Sequence, residues 1–194
     1  MARRVEMALS HQFRHRFRLE IGFVKATVDD INNQWHLQNS MTYDLRQVIH
    51  HRIRECDPYF EGSNLPDLLG LRLNGRYTRD HVKQHLPRVT KEMLVELFGL
   101  SRLEPADGPL EWIVGPSAAT LCRPAETLEG RSAAVISARR AVIEVIGKRL
   151  TTTQIASLLR IDRTTVNRLR RFRPSATHVQ AVRLQLGLWR ALGG

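Results

Sequence analysis

Between Asp162 and Arg171 the sequence concentrates side chains that can hydrogen bond to base edges and to phosphates. An arginine can donate two hydrogen bonds to guanine, and an asparagine can pair in a similar way with adenine. The residues that could read bases are Arg163, Thr164, Thr165, Asn167 and Arg168. The residues that could bind backbone phosphates are Lys148, Arg149, Thr152, Thr153, Gln154, Arg170, Arg171 and Arg173. This chemistry predicts double-stranded DNA as the partner.

Such side chains must be positioned by short helices, and residues 152–171 have the spacing of a helix-turn-helix. Ala156 stands where the two helices approach most closely, and Asp162 is the expected N-cap of a recognition helix over Arg163–Phe172. The predicted small core consists of Ile155, Leu159, Ile161, Val166 and Leu169. Arg160 occupies the turn position that usually holds glycine. A positive φ there costs about 1 kcal/mol, so either the turn has another geometry or the basic side chain compensates for the strain.

Two longer helices are expected to support this pair. One begins near Ser132 and buries an apolar stripe, with basic residues on its exposed sides or at its end: Arg139, Arg140, Lys148 and Arg149. The other begins near Ser175 and repeats apolar residues at Val179, Val182, Leu186 and Trp189. Thr153 and Gln154 lie at a predicted helix start, where free backbone amides favour an anion.

The charge distribution supports this location. The 194 residues carry a formal net charge of +11. From Arg131 to Gly194 there are 13 Lys and Arg against two acids, so this segment carries the whole excess, and residues 1–130 sum to zero. A localised positive charge of this kind is what affinity for a phosphate backbone requires.

The rest of the chain predicts a mainly α protein with an N-terminal helical domain, residues 1–105, and a C-terminal domain of about four helices, residues 131–194. Glycine and proline residues between them indicate a linker over 106–130, in which 110–114 could be a strand or a packed turn. N-caps are expected at Thr42, Thr78 and Thr90.

The segment from Ile136 to Phe172 resembles the DNA-binding domain of the bacterial replication initiator DnaA. The likeness rests on a long helix, the run from Leu150 to Ala156, and Asp-Arg-Thr-Thr-Val at 162–166, where the family signature reads Asp-His-Thr-Thr-Val. The resemblance implies that Arg163, Thr164 and Thr165 contact DNA. The segment is also similar to sigma factor region 4 and to the helix-turn-helix of some transposases.

Signals for an enzyme are weak, and no catalytic residue, metal or cofactor is predicted. The chain has no Gly-x-x-x-x-Gly-Lys-Ser/Thr loop for nucleotide phosphates. His50 and His51 near Tyr43 and Tyr59 could form a nucleophile site, but two ordinary histidines on a surface helix are the stronger interpretation. Without a signal peptide or an apolar run long enough for a membrane span, we expect a cytoplasmic, nucleoid-associated protein.

These observations lead to one expected function and one alternative. We expect a sequence-specific transcription regulator of bacterial type, in which residues 1–105 supply homodimerisation or a contact to RNA polymerase or another regulator. The alternative is a replication or recombination factor of a phage or mobile element that binds DNA and recruits other proteins. The basic stretch at 13–18 could add a second DNA contact or form a solvated amphipathic helix.

Overall fold

The computed structural model describes residues 30–50, 64–86, 88–97, 99–107, 112–122 and 128–192. The chain divides into two compact units, residues 1–37 and residues 38–194. In the first unit the described part is 30–37, where the backbone N–H of His36 donates to Asn33 Oδ1 at 2.8 Å. The basic stretch at 13–18 lies outside the described residues. So do His51, Tyr59 and the side chain of His50, which belong to the predicted group of His50 and His51 near Tyr43 and Tyr59.

The described residues form helices and no strand, which confirms the mainly α fold. In chain order the helices are α1 (Gln34–His50), α2 (Leu65–Leu69), a 3-10 turn (Leu73–Gly75), α3 (Arg76–His85), α4 (Lys91–Glu96), α5 (Val114–Ala119), α6 (Ala133–Ile146), α7 (Thr152–Leu158), α8 (Arg163–Arg170) and α9 (Ala176–Ala191). Helices α6 to α9 are the four that the sequence predicts after residue 131. Val114, which could have ended a strand, instead begins α5.

Local capping chemistry explains several helix starts. Ser132 and Thr90 are N-caps, and each hydroxyl accepts a hydrogen bond from the backbone N–H of the residue three positions later. The sequence predicts this cap for Thr90. The N-caps predicted at Thr42 and Thr78 are wrong, because both residues lie inside helices. The Thr42 hydroxyl donates back to Gln38 O at 2.9 Å, which satisfies it within α1.

Two apolar clusters hold the second unit together. The first core cluster joins α5, α6, α7, α8 and part of α9, and its fully buried side chains include Val142, Ile146, Ile155, Val166 and Val182. The second core cluster joins α2, α4 and the other part of α9. In it Leu184 and Leu188 of α9 pack with the leucines of α2.

Helix α9 therefore belongs to both clusters. Gln185, on the same helix, is buried and donates from Nε2 to Leu71 O at 3.1 Å. The predicted linker at 106–130 includes α5, in which Pro116, Ser117 and Ala118 are buried. The described parts of 38–194 thus belong to one compact unit, and independent folding of residues 131–194 stays a prediction.

Gly187 allows a loop to cross α9 at very short range. A Cβ at this position would overlap Glu104 O, so no residue with a side chain fits here without a shift of the backbone. The same loop is held by a hydrogen bond from Ala106 N to Arg183 O at 3.0 Å. Glu104, at the end of the predicted N-terminal domain, therefore packs directly against α9.

A buried histidine links three of the helices. His178, near the start of α9, has none of its surface exposed. Its Nδ1 lies 2.9 Å from Ser137 Oγ on α6, and its Nε2 lies 3.0 Å from Thr120 Oγ1 just after α5. The Thr120 hydroxyl donates its one proton to Ser117 O at 2.7 Å, so it accepts from Nε2–H. Burial lowers the pKa of His178 to about 4, which keeps the ring neutral at pH 7.

Candidate nucleic-acid interface

Helices α7 and α8 are joined by a four-residue turn and pack closely on each other. Ala156, at 6% exposure, occupies the predicted point of close approach. Four of the five predicted core residues of this pair are buried, and Ile161 is half-buried. The buried ones are Ile155, Leu159, Val166 and Leu169. The apolar side of α8 is thereby held against α6 and α7, and its opposite side is left to solvent.

Arg160 adopts the left-handed backbone conformation, with φ at +50°. Of the two alternatives left open by the sequence, the turn therefore keeps the geometry that normally favours glycine. Because Arg160 has a Cβ, this conformation costs about 1 kcal/mol. Arg160 Nη1 lies 3.6 Å from Glu129 Oε1.

Each helix of the pair begins with a side-chain cap. Thr151 and Gln154 form a reciprocal capping box at the start of α7, where Thr151 N donates to Gln154 Oε1 at 2.9 Å. Asp162 is the N-cap of α8, as predicted, and accepts from Thr165 N at 2.7 Å. The hydroxyl and the amide of Thr165 together lower the pKa of Asp162.

The predicted base-reading residues lie along α8. Arg163, Thr164, Asn167 and Arg168 are exposed. Thr165 differs, because it is half-buried and its hydroxyl donates to Asp162 Oδ2 at 2.7 Å. Its hydroxyl proton is thus engaged in the cap, and its role in reading bases stays a prediction.

The predicted phosphate-binding residues surround the same pair of helices. Six of them are exposed: Lys148, Arg149, Thr153, Gln154, Arg171 and Arg173. The other two contact each other, since Arg170 Nη1 donates to half-buried Thr152 Oγ1 at 2.8 Å. This hydrogen bond fixes the end of α8 beside the start of α7.

Two details of the sequence prediction are corrected. The recognition helix ends at Arg170, and Arg171 is its C-cap, so Phe172 lies beyond the helix. Arg139, expected on an exposed side of α6, is 8% exposed, and its Nη1 donates to Gly130 O at 3.1 Å. Burial lowers the pKa of Arg139, and the nearby Glu129 acts in the opposite direction.

Sequence reasoning missed a groove beside α8 that several elements form together. Arg131, Arg140 and Arg160 line it with Arg168. Arg140 stacks over the ring of Phe172, with its guanidinium carbon 4.5 Å from the ring centroid. These residues come from different elements, so no local spacing could indicate that they meet.

Comparison with known proteins does not assign this chain to a family. No family model, curated protein or solved structure matches the chain. The resemblance to the initiator's DNA-binding domain therefore stays a prediction. Among the described residues, no three His, Cys, Asp or Glu side chains are grouped to hold a metal ion. None of the described helices combines the length and apolar character needed to cross a bilayer.

Proposed function

We propose that this protein binds double-stranded DNA in a sequence-specific manner through α8 and acts as a transcription regulator. One observation carries the proposal: the exposed face of α8 displays Arg163, Thr164, Asn167 and Arg168, followed by the exposed C-cap Arg171, while the other face of the helix is buried. These side chains can donate to guanine, to adenine and to phosphates. An α-helix of this length fits into the major groove.

The surroundings of α8 are consistent with this role. The segment 131–194 carries the entire excess of positive charge. The Arg170–Thr152 hydrogen bond and the Asp162 cap fix both ends of the helix. A helix held in this way loses little further conformational freedom when it binds, which favours affinity.

Binding is tested first with the full chain and a random-sequence duplex. We expect fluorescence anisotropy to show that log affinity falls linearly with log salt concentration, since about 0.9 counterion is released per phosphate contacted. A dissociation constant that does not change with salt contradicts the proposal. Selection of bound duplexes from a random library then supplies the preferred site.

Base reading is tested by substitutions on α8. We expect Asn167→Ala and Arg168→Ala to weaken binding at the preferred site by about 1 to 3 kcal/mol and to relax base preference. Asn39→Ala on α1 and Arg190→Ala on α9 are matched controls, since both residues are exposed on other helices. Equal losses on preferred and random duplexes would reassign Asn167 and Arg168 to phosphate contacts.

The regulatory role is tested by where the protein binds in its host. Sequencing of immunoprecipitated DNA should place its sites at promoters. Sites confined to a replication origin or an attachment site favour instead the alternative role in replication or recombination.

A further inference from the structure

A groove of about 810 Å³ runs along one flank of α8, between that helix, the first half of α6 and the segment before α6. Thr165, Arg168 and Phe172, spaced at three and four residues, line it from the side of α8. From the other elements come Arg131, Arg140 and Arg160. The groove thus joins the exposed face of α8 directly, because Arg168 belongs to both.

This flank is opposite to the one that faces α7. On the α7 side, Arg170 donates to Thr152. Together with Lys148 and Arg149, in the turn before α7, and Thr153, in its first turn, they make five of the eight predicted phosphate-binding residues. A helix in the major groove lies between two sugar-phosphate backbones, one on each flank. The predicted contacts concentrate on one backbone, and the groove lies where the other would pass.

The electrostatics of the groove suit a phosphate. Arg140 is held against Phe172, and the largely buried Arg139 also lines the groove and adds a further positive charge. Two acids line the groove, and both have partners: Asp162 caps α8, and Glu129 pairs with Arg160. The Arg160 and Glu129 side chains are 70% and 60% exposed, so water screens their attraction and the pair is easily exchanged.

We propose that this groove binds a backbone phosphate of the second DNA strand, and that Glu129 competes with that phosphate for Arg160. In the free protein Arg160 pairs with Glu129, and in the complex it pairs with the phosphate. Arg131, which is exposed and lines the same groove, adds a second contact. The inference rests on the proposed binding of duplex DNA by α8. It gives the strained Arg160 a function, because glycine at that position would remove the contact.

The sharpest test removes the carboxylate of Glu129 and leaves the arginines that would bind the phosphate in place. With the full chain and one duplex, we expect Glu129→Gln to raise the affinity at least threefold over Glu96→Gln. Both substitutions remove one negative charge, but Glu96 is exposed on α4, beside the second core cluster. Equal affinities of the two variants overturn the competition.

Removal of the arginines tests the phosphate contact. Arg160→Ala and Arg131→Ala should each make the negative slope of log affinity against log salt shallower by about one, whereas Arg190→Ala should leave that slope unchanged. Arg160→Ala keeps a Cβ at the strained position, so a matching melting temperature shows that the effect comes from the lost guanidinium. Glu129→Gln gives an independent reading if Arg160→Ala does not fold.

The outcomes separate the two proposals. If the wild type binds duplex DNA with a steep salt dependence and Arg171→Ala weakens it, but the groove variants behave like their controls, the groove assignment fails and DNA binding by α8 stands. If the wild type does not bind, the proposed function itself fails. Titration with pyrophosphate distinguishes a site for a free phosphorylated molecule: binding that depends on Arg160, with an unchanged DNA salt slope, overturns the assignment to DNA.

Discussion

Acid should destabilise the fold through His178. The folded protein keeps the ring neutral until the pH falls to about 4, whereas an ordinary histidine titrates at 6.5. Between these values the unfolded chain binds a proton that the folded protein does not, so stability falls as the pH falls. The stability that depends on the neutral His178 ring is fully present above about pH 6.5 and is lost progressively as the pH falls to about 4.

The size of the effect follows from the two pKa values. Linkage gives a loss of about 2 kcal/mol between pH 7 and pH 5, approaching about 3 kcal/mol near pH 4. In a chain of this length, 2 kcal/mol corresponds to a fall in melting temperature of about 4 to 8 °C. The loss is large because protonation would place a charge on a ring that burial keeps from water.

Urea unfolding followed by circular dichroism at pH 7 and pH 5, at constant ionic strength, measures this difference. We expect His178→Gln to be less stable than the wild type at pH 7, because its shorter amide does not span Ser137 and Thr120 in the same way. Between pH 7 and pH 5, however, the variant should lose about 2 kcal/mol less than the wild type. His81→Gln, at an exposed position of α3, is the matched control and should keep the wild-type pH dependence.

Equal pH dependence of the wild type and His178→Gln would refute the argument. If His178→Gln does not fold, the ring can be titrated by NMR in the wild-type protein. A midpoint near 6.5 for His178 would then contradict a neutral, fully buried ring.

Three further predictions concern the packing that positions α8. Ala156→Leu should destabilise the protein by about 1 to 3 kcal/mol through overpacking of α7 against α8, and an unchanged melting temperature would show that the two helices are not in close contact. Gly187→Ala should cost at least about 2 kcal/mol, because its Cβ would collide with Glu104 O; thermal unfolding at neutral pH measures this loss, and wild-type stability would contradict the crossing of the loop over α9. Thr151→Ala should cost about 1 kcal/mol through loss of the capping box, whereas the control Thr153→Ala, without a cap to lose, should have a smaller effect in the same urea titration.

Features that depend on a few neighbouring residues could be predicted from the sequence. Thr90 and Asp162 are N-caps, as predicted, because a short polar side chain can reach the amide of the residue three positions later. The helix expected to begin near Ser132 does so, with Ser132 as its cap. The spacing of Ile155, Val166 and Leu169 was sufficient to predict the apolar contact between α7 and α8. The irregular turn at Arg160 was also visible, because only one position in the motif could require a positive φ.

Local rules failed where a longer-range contact decided the outcome. Thr78 is not a cap because α3 already begins at Arg76, with Gly75 as its N-cap. Gly75 lies against Asp67, where a Cβ on the glycine would come within 2.7 Å of Asp67 Cα. Arg139 was expected to be exposed from its place on α6, but the segment before that helix covers it and Gly130 accepts its hydrogen bond.

The sequence alone determined the helical class, the pair α7 and α8, and the concentration of positive charge around them, because composition and short-range spacing carry this information. Only the tertiary structure decided that α9 serves two core clusters, that His178 links α5, α6 and α9, and that Arg131, Arg140 and Arg160 line one groove with Glu129. The physical reason is distance along the chain. These groups come from separate segments, and only the packing of the helices brings them together.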